Sequence, residues 1–391
     1  MLLIKDGNVF TMAGNKYSRG SILIDKGKIV KIEETIELDS NKDVEIIDAA
    51  NCWVLPGLIE AHCHIGIKEE RKGFEGDDCN EMSSPITPFL RALDGINPMD
   101  SAFYNALSSG ITGVMVGPGS SNVVGGQWLF MKTDGRIIDD MVVLEPAAMK
   151  VAFGENVKST YNNKNMMPMT RMAIAAMLRE ELFEAKKYKE SKEASMKENK
   201  SFEEDFRKEC WLPVLSGSIP LKAHAHRADD ILTAIRIAKE FNLKLTIDHC
   251  TEGHLVAKEI FGSGYPAIVG PSLVSRNKIE TQYADYKTPG LLHKEGIKIA
   301  ITTDHPVTRI QDLTVCAAFA VKEGLDMEEA LRSITINAAE ICNVDHRVGS
   351  IEVGKDADIA IYDGNPLEIF TKTLFTIING RIVYKADEMK D

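Results

Sequence analysis

Apolar positions divide the chain into three zones. In the first 55 residues, short apolar runs are cut by turn residues. Leu2-Leu3-Ile4 precedes Asp6-Gly7, Ser21-Ile22-Leu23-Ile24 precedes Asp25-Lys26-Gly27, and Lys28-Ile29-Val30-Lys31-Ile32 follows. Such runs, split by a glycine-bearing turn, predict hairpins of a small antiparallel sheet. The C-terminal zone repeats the pattern. Asp358-Ile359-Ala360-Ile361-Tyr362 ends at Asp363-Gly364-Asn365-Pro366, and Phe375-Thr376-Ile377-Ile378 meets Asn379-Gly380 before Arg381-Ile382-Val383-Tyr384. Neither end is long enough to be stable alone, so the two are expected to join in space.

From Pro56 to about Asn343 the pattern changes. Apolar strand-like runs begin at Ile111, Leu221, Leu243, Ala267 and Ile297. Longer helical patterns separate them; Ile231, Ile235, Ala238 and Phe241 mark one apolar stripe. Alternation over this length predicts a parallel α/β architecture and suits a (β/α)8 TIM barrel. No GxGxxG opens a helix, which argues against a doubly wound dinucleotide-binding sheet. The segment from Thr170 to Cys210 reads as a charged helical insertion with Ile174, Leu178, Leu182 and Ala185 on one face. Its part from Lys186 to Lys208 is mostly Lys and Glu, a solvated face. The expected domains are therefore a composite β-sandwich, residues 1–55 and 349–391, and a catalytic barrel, residues 56–348.

Charge narrows the partners. The 391 residues carry 46 basic and 58 acidic side chains, a formal charge of −12. That argues against nucleic acid and against an anionic membrane surface. No stretch approaches the roughly 20 apolar residues of a membrane helix. The opening run Met1–Ile4 is broken at once by Lys5 and Asp6, unlike a signal peptide. Seven cysteines are scattered without a CxxC, which fits reduced thiols and a cytoplasmic setting. The expected partner is a small-molecule substrate; a homo-oligomer is left open.

The histidines supply candidate chemistry. His62 and His64 are two apart on Leu58-Ile59-Glu60-Ala61-His62-Cys63-His64. On a strand both imidazoles face one side and Cys63 the other, so they can share a cation. HxH alone also arises by chance. His224 and His226 repeat the spacing, His249 ends the next strand and Asp304 ends the strand after Ala300 and Thr302. In a barrel the C-terminal strand ends converge on one site. Imidazoles and a carboxylate suit zinc or another borderline divalent metal, as one or two ions. His293 and His346 read as ordinary surface residues, whereas His254 and His305 lie close enough to line a pocket.

In this order, the residues resemble the amidohydrolase superfamily, and more narrowly imidazolonepropionase-like amidohydrolases. Leu55-Pro56-Gly57-Leu58-Ile59-Glu60-Ala61-His62-Cys63-His64 looks like the first-strand motif. Gly349-Ser350-Ile351-Glu352-Val353-Gly354-Lys355-Asp356-Ala357-Asp358 looks like the return into a small β-sandwich, and Asn337-Ala338-Ala339-Glu340 is similar to the last helix. The resemblance covers nearly the whole chain. It implies a barrel with a sandwich built from both chain ends. It implies metal ligation by His62, His64, His224, His249 and Asp304, with His226 at a substrate-contacting position. Ala148-Met149-Lys150-Val151-Ala152-Phe153 looks like the fourth strand with a carboxylated Lys150 as bridging ligand; Glu155 is the alternative. A solvated, ordinary Lys150 is the competing reading.

The resemblance departs just after the fifth-strand histidine. Deaminases of the superfamily carry a glutamate three residues after the fifth-strand histidine, where this chain has Arg227. Imidazolonepropionases carry an acidic pair where this chain has His226-Arg227. The expected reaction is hydrolysis of a C–N bond in a cyclic amide or N-acyl compound. Asp304 is the expected general acid and base, with His226 or His249 stabilising the oxyanion. Arg227 and Arg276 are candidates for a substrate carboxylate. The loop from Val116 to Gln127 is a candidate for close backbone approach to substrate. A Xaa-Pro metallo-dipeptidase with an arginine clamp is the alternative enzyme, and a metal-binding non-catalytic homologue the alternative of another class.

Overall fold

The computed structural model describes residues 1–37, 43–70 and 72–387. Of the expected composite segment, 38–42 and 388–391 lie outside the described residues. Five strands come first: β1 (Leu2–Phe10), β2 (Lys16–Asp25), β3 (Lys28–Glu33), β4 (Glu45–Asp48) and β5 (Trp53–Pro56). Eight follow in the middle: β6 (Leu58–Cys63), β7 (Ile111–Val116), β8 (Val124–Lys132), β9 (Val142–Ala152), β10 (Leu221–Ala225), β11 (Leu245–His249), β12 (Ala267–Val269) and β13 (Ile299–Ile301). Three close the chain: β14 (Ile359–Tyr362), β15 (Thr373–Ile378) and β16 (Arg381–Lys385).

The two chain ends make one sheet, in the order β16-β15-β14-β5-β1-β2-β3 with β4 also on β1. The join is β5, parallel to β1 and antiparallel to β14, with Val54 opposite Ile361. Two hairpins meet near it. Lys26-Gly27 turns β2 into β3 and Asn379-Gly380 turns β15 into β16, all four residues at positive φ. Positive φ at both central residues is the type I′ geometry, which Asn-Gly favours. Ile4, Val54, Ile359 and Ile377 pack this sheet's own core.

The middle strands form a nearly closed barrel in chain order, β6 to β13. Strand β6 is buried along its whole length, as expected of a strand covered on both faces. Polar groups close the seam between β6 and the end of β13. His64 N donates to His305 O at 2.8 Å and Thr302 Oγ1 to His62 O at 2.7 Å. Glu60 accepts from His62 N, from Thr303 N and Oγ1, and from Thr302 Oγ1. Burial pushes this carboxyl up to about 7, against those four hydrogen bonds.

The barrel departs from strict parallelism at one strand. Strand β8 runs antiparallel to both β7 and β9. The expected loop Val116–Gln127 therefore ends inside a strand. Only residues 117–123 separate β7 from β8, too few for the dozen or more that a parallel crossover requires. The charged insertion is the helix Arg171–Lys197, capped by Thr170 Oγ1, and buries Ile174, Leu178, Leu182 and Ala185. Among the described residues no helix is long and apolar enough to cross a membrane.

Candidate metal centre

The strand ends bring the two histidine pairs together. His62 and His249 have ring centroids 4.8 Å apart, His224 and His249 4.5 Å, and His224 and His226 4.7 Å. Asp304 Oδ1 lies 3.3 Å from His64 Nε2 and 3.6 Å from His62 Nε2. Two groups result, His62–His64–Asp304 and His224–His226–His249. Within each group, the ligand atoms lie within 4.8 Å of one another. Cys63 points away, into the outer core beneath the helices.

Each imidazole is aimed by a partner on its Nδ1. His62 Nδ1 meets Asp248 Oδ2 at 2.8 Å, His64 Nδ1 meets Gly117 O at 2.7 Å and His224 Nδ1 meets Ser120 Oγ at 2.9 Å. His226 Nδ1 meets Thr251 Oγ1 at 2.7 Å and His249 Nδ1 meets Gly270 O at 2.8 Å. All five Nε2 atoms therefore face inwards, as outer partners fix metal-binding histidines. Burial holds His62, His224 and His249 well below the ordinary imidazole range, with nearby Lys150 lowering all three further. It brings His226 down to about 3. Neutral imidazole is the form that binds metal. His64 rises to about 10; burial lowers it, but Cys79 and Asp304 outweigh that.

Two lysines underlie the cluster. Lys150 and Lys222 are register partners on β9 and β10, and each Nζ sits 5.0 Å from the ring of Trp128 on β8. Lys222 donates to Ala61 O at 3.0 Å and lies 3.3 Å from Asp248 Oδ2. Lys150 Nζ is 3.4 Å from His62 Nε2. It is fully buried, not solvated, and burial lowers it to about 8. Glu155, the alternative fourth-strand candidate, is elsewhere: its Oε2 accepts from Glu280 N at 3.1 Å.

The donor set fits a divalent cation. His249 Nε2, Asp304 Oδ1 and Glu280 Oε1 are buried atoms with no hydrogen-bond partner among the described residues. Such orphans are costly unless an absent partner satisfies them. His62, His64, Lys150, His224, His226, His249 and Asp304 converge here, as do residues the sequence reading passed over: Glu60, Asp248, Lys222 and Glu280. A signal for three existed. Glu60 shares the alternating strand face of His62, Lys222 that of His224, and Asp248 that of Thr246. Asp248→Asn is expected to lower metal affinity about 10–100-fold by loosening His62. Competition against a chelator measures this, and an unchanged constant would remove Asp248 from the argument.

A cavity of about 370 Å³ opens over the cluster. It is lined by His64, His224, His226 and Asp304, by Asn80, Ser120, Ser121, Asn156 and Thr160, and by Lys68 and Lys278. Gly117 in the neighbouring loop lies against Trp128, whose ring atoms would stand 2.0 Å from an added Cβ. Arg227 is paired with Asp229 at 2.9 Å and lines a different depression. Arg276 is exposed and outside the lining. His305 is buried beside Asp304 without lining the cavity, and His254 binds Thr288 Oγ1 at 3.3 Å.

The Amidohydrolase family model matches residues 53–383. The solved amidohydrolase of Thermotoga maritima MSB8 is 40% identical, with a TM-score of 0.95 over 99% of this chain and all of that one. The imidazolonepropionase of Thermoplasma volcanium is 24% identical, over 98% of each chain. The amidohydrolase tasK of Hapsidospora irregularis is 27% identical over 92% of this chain, which spans only 39% of that protein. The chain belongs to the Amidohydrolase family, hydrolases that act on carbon–nitrogen bonds.

Proposed function

We propose that the protein is a metal-dependent, imidazolonepropionase-like hydrolase that cleaves the C–N bond of a cyclic amide or an N-acyl small molecule. The observation that carries this reading is Asp304, whose carboxylate lies between two inward-facing imidazoles and lines the cavity. His62, His64, His224, His249, Asp304 and Lys150 are the proposed ligands of one or two ions, with zinc the leading candidate. A divalent ion held by these residues would supply Lewis acidity, polarising a carbonyl and making water nucleophilic near neutral pH. Asp304 accepts the water proton and returns it to the leaving nitrogen. His226 steadies the negative charge developing on the carbonyl oxygen. Lys150 would join the ligand set as a carbamate, formed when its neutral amine adds to CO₂ and releases a proton. Amide and hydroxyl side chains around the cavity select a small polar substrate.

The dipeptidase alternative needs an arginine clamp, and no arginine lines this cavity among the described residues. The experiment is metal analysis of the purified protein, removal with a chelator and reloading with Zn²⁺ or Mn²⁺. Cyclic ureides, N-acyl amino acids and dipeptides are then screened. Turnover is expected to vanish on chelation and to return with metal, on a cyclic or N-acyl substrate. A protein that takes up no divalent metal, or turns over equally without it, would sink the reading.

A further inference from the structure

Glu280 lies in the segment after β12, in a single short turn of helix, Ile279–Thr281. It is 1% exposed. Reciprocal hydrogen bonds fix it, since its Oε2 accepts from Glu155 N at 2.9 Å while Glu155 Oε2 accepts from Glu280 N at 3.1 Å. The other oxygen, Oε1, is buried without a hydrogen-bond partner among the described residues. It lies 3.8 Å from His224 Nε2 and 4.0 Å from His226 Nε2. Lys278 Nζ is also 4.0 Å away, but that ammonium is half in solvent and donates to Asn156 Oδ1 at 2.7 Å. An isolated buried carboxylate is strongly disfavoured unless a charge or donors meet it. Three nitrogens surround Oε1, and none of them bonds to it.

Charge points to what fills the gap. His224, His226 and His249 offer imidazole nitrogens and no carboxylate. A divalent ion among them would be uncompensated by those imidazoles. Asp304 stands with the other group, and Asp248 is engaged by His62, Lys222 and Thr246. Among the described residues Glu280 is the side-chain carboxylate beside His224 and His226, and it adds to the negative charge that a Lys150 carbamate would bring. Ligand atoms of a tetrahedral zinc site are about 3.4 Å apart, given bonds of about 2.0–2.1 Å. The observed 3.8 and 4.0 Å become that spacing if each pair closes by about half an ångström.

We propose that Glu280 Oε1 is the anionic ligand of a divalent cation held by His224, His226 and His249, so that the centre extends to the segment after β12. This rests on the metal-dependent reading above, adds Glu280 and His226 to its ligands, and replaces the oxyanion role given there to His226. His226 then binds the ion, and its contact with substrate is replaced by that bond.

The test titrates metal-free protein with Co²⁺, following stoichiometry and visible absorption, for the wild type, Glu280→Gln and Glu155→Gln. The two variants each remove one negative charge from the same pair of neighbours. Glu280→Gln is expected to weaken the cation at the His224 side at least about 100-fold, beyond what loss of an outer partner causes, and to change its absorption. Glu155→Gln is expected to bind as the wild type does. Equal binding by the wild type and Glu280→Gln would overturn the proposal. Equal losses in both variants would also overturn it, by assigning the effect to local charge. A crystal of Co²⁺-loaded protein gives a folding-independent reading of the wild type: an anomalous peak bonded to the histidines but more than about 3 Å from Glu280 Oε1 would exclude ligation. Failure of the wild type to bind any Co²⁺ or Zn²⁺ would instead bring down the functional reading itself.

Discussion

Replacing Asp304 with asparagine is expected to lower kcat by about 10²–10⁴-fold while the protein keeps its metal. The substitution suits the backbone. Asp304 sits at φ 53°, a left-handed conformation that Asn tolerates nearly as well as Asp. Its backbone N–H donates to Thr302 Oγ1 at 3.1 Å and its carbonyl accepts from Val307 N at 2.9 Å, so the main chain is held independently of the carboxylate. The amide retains shape and an oxygen ligand but cannot take a proton from water. Metal content by mass spectrometry and kcat on one substrate, measured together, separate the two roles. Near-wild-type turnover in the metal-loaded variant would refute Asp304 as the proton carrier.

The second large effect lies far from the cluster, where the barrel meets the end sheet. Lys132 closes β8 and is almost fully buried, 3% exposed. Its ammonium lies 3.1 Å from Asp356 Oδ2 and also binds Asp358 Oδ2. Asp356 is further held by Lys28 at 2.6 Å and by Arg347 at 2.8 Å. Among the described residues Asp358 has no second cation, and it is fixed otherwise by Asn379 N at 3.0 Å. Lys132→Met therefore leaves Asp358 buried and uncompensated. Breaking a buried pair in this way costs about 3–5 kcal/mol. Denaturant unfolding of metal-free protein is expected to show that loss, and Lys132→Met combined with Asp358→Asn to recover much of it. A single-variant loss below about 1 kcal/mol would mean that the pair behaves like an exposed one.

How much of this was legible in the sequence depends on where each residue sits. His62, His64, His224 and His249 are on or beside strands, where alternation and order suffice to place them. The stripe Ile174–Ala185 was equally plain, since helical spacing alone determines it. Asp356 and Asp358 were visible as part of a motif, but their grip on Lys132 is a contact across more than 200 positions that no local pattern carries. Strand β8 was hidden because glycines at its start imitate a loop and because strand direction is set by linker length. Glu280 was invisible for a different reason. It lies in a polar segment with no periodicity, and only its exchange of hydrogen bonds with Glu155 turns it inwards.

Strand β5 has a consequence for how the chain is made. Its partners are β1, already synthesised, and β14, which follows about 300 residues later and so emerges roughly 15–60 s later at ordinary rates of translation. Through that interval one side of β5 is an unpaired edge, with Val54 and Leu55 in an apolar run. Unpaired apolar edges recruit other chains. The barrel can assemble during the wait, but the end sheet cannot be completed until the last strands emerge. Aggregation during synthesis is therefore expected to depend on the timing of β14 more than on any property of the finished fold.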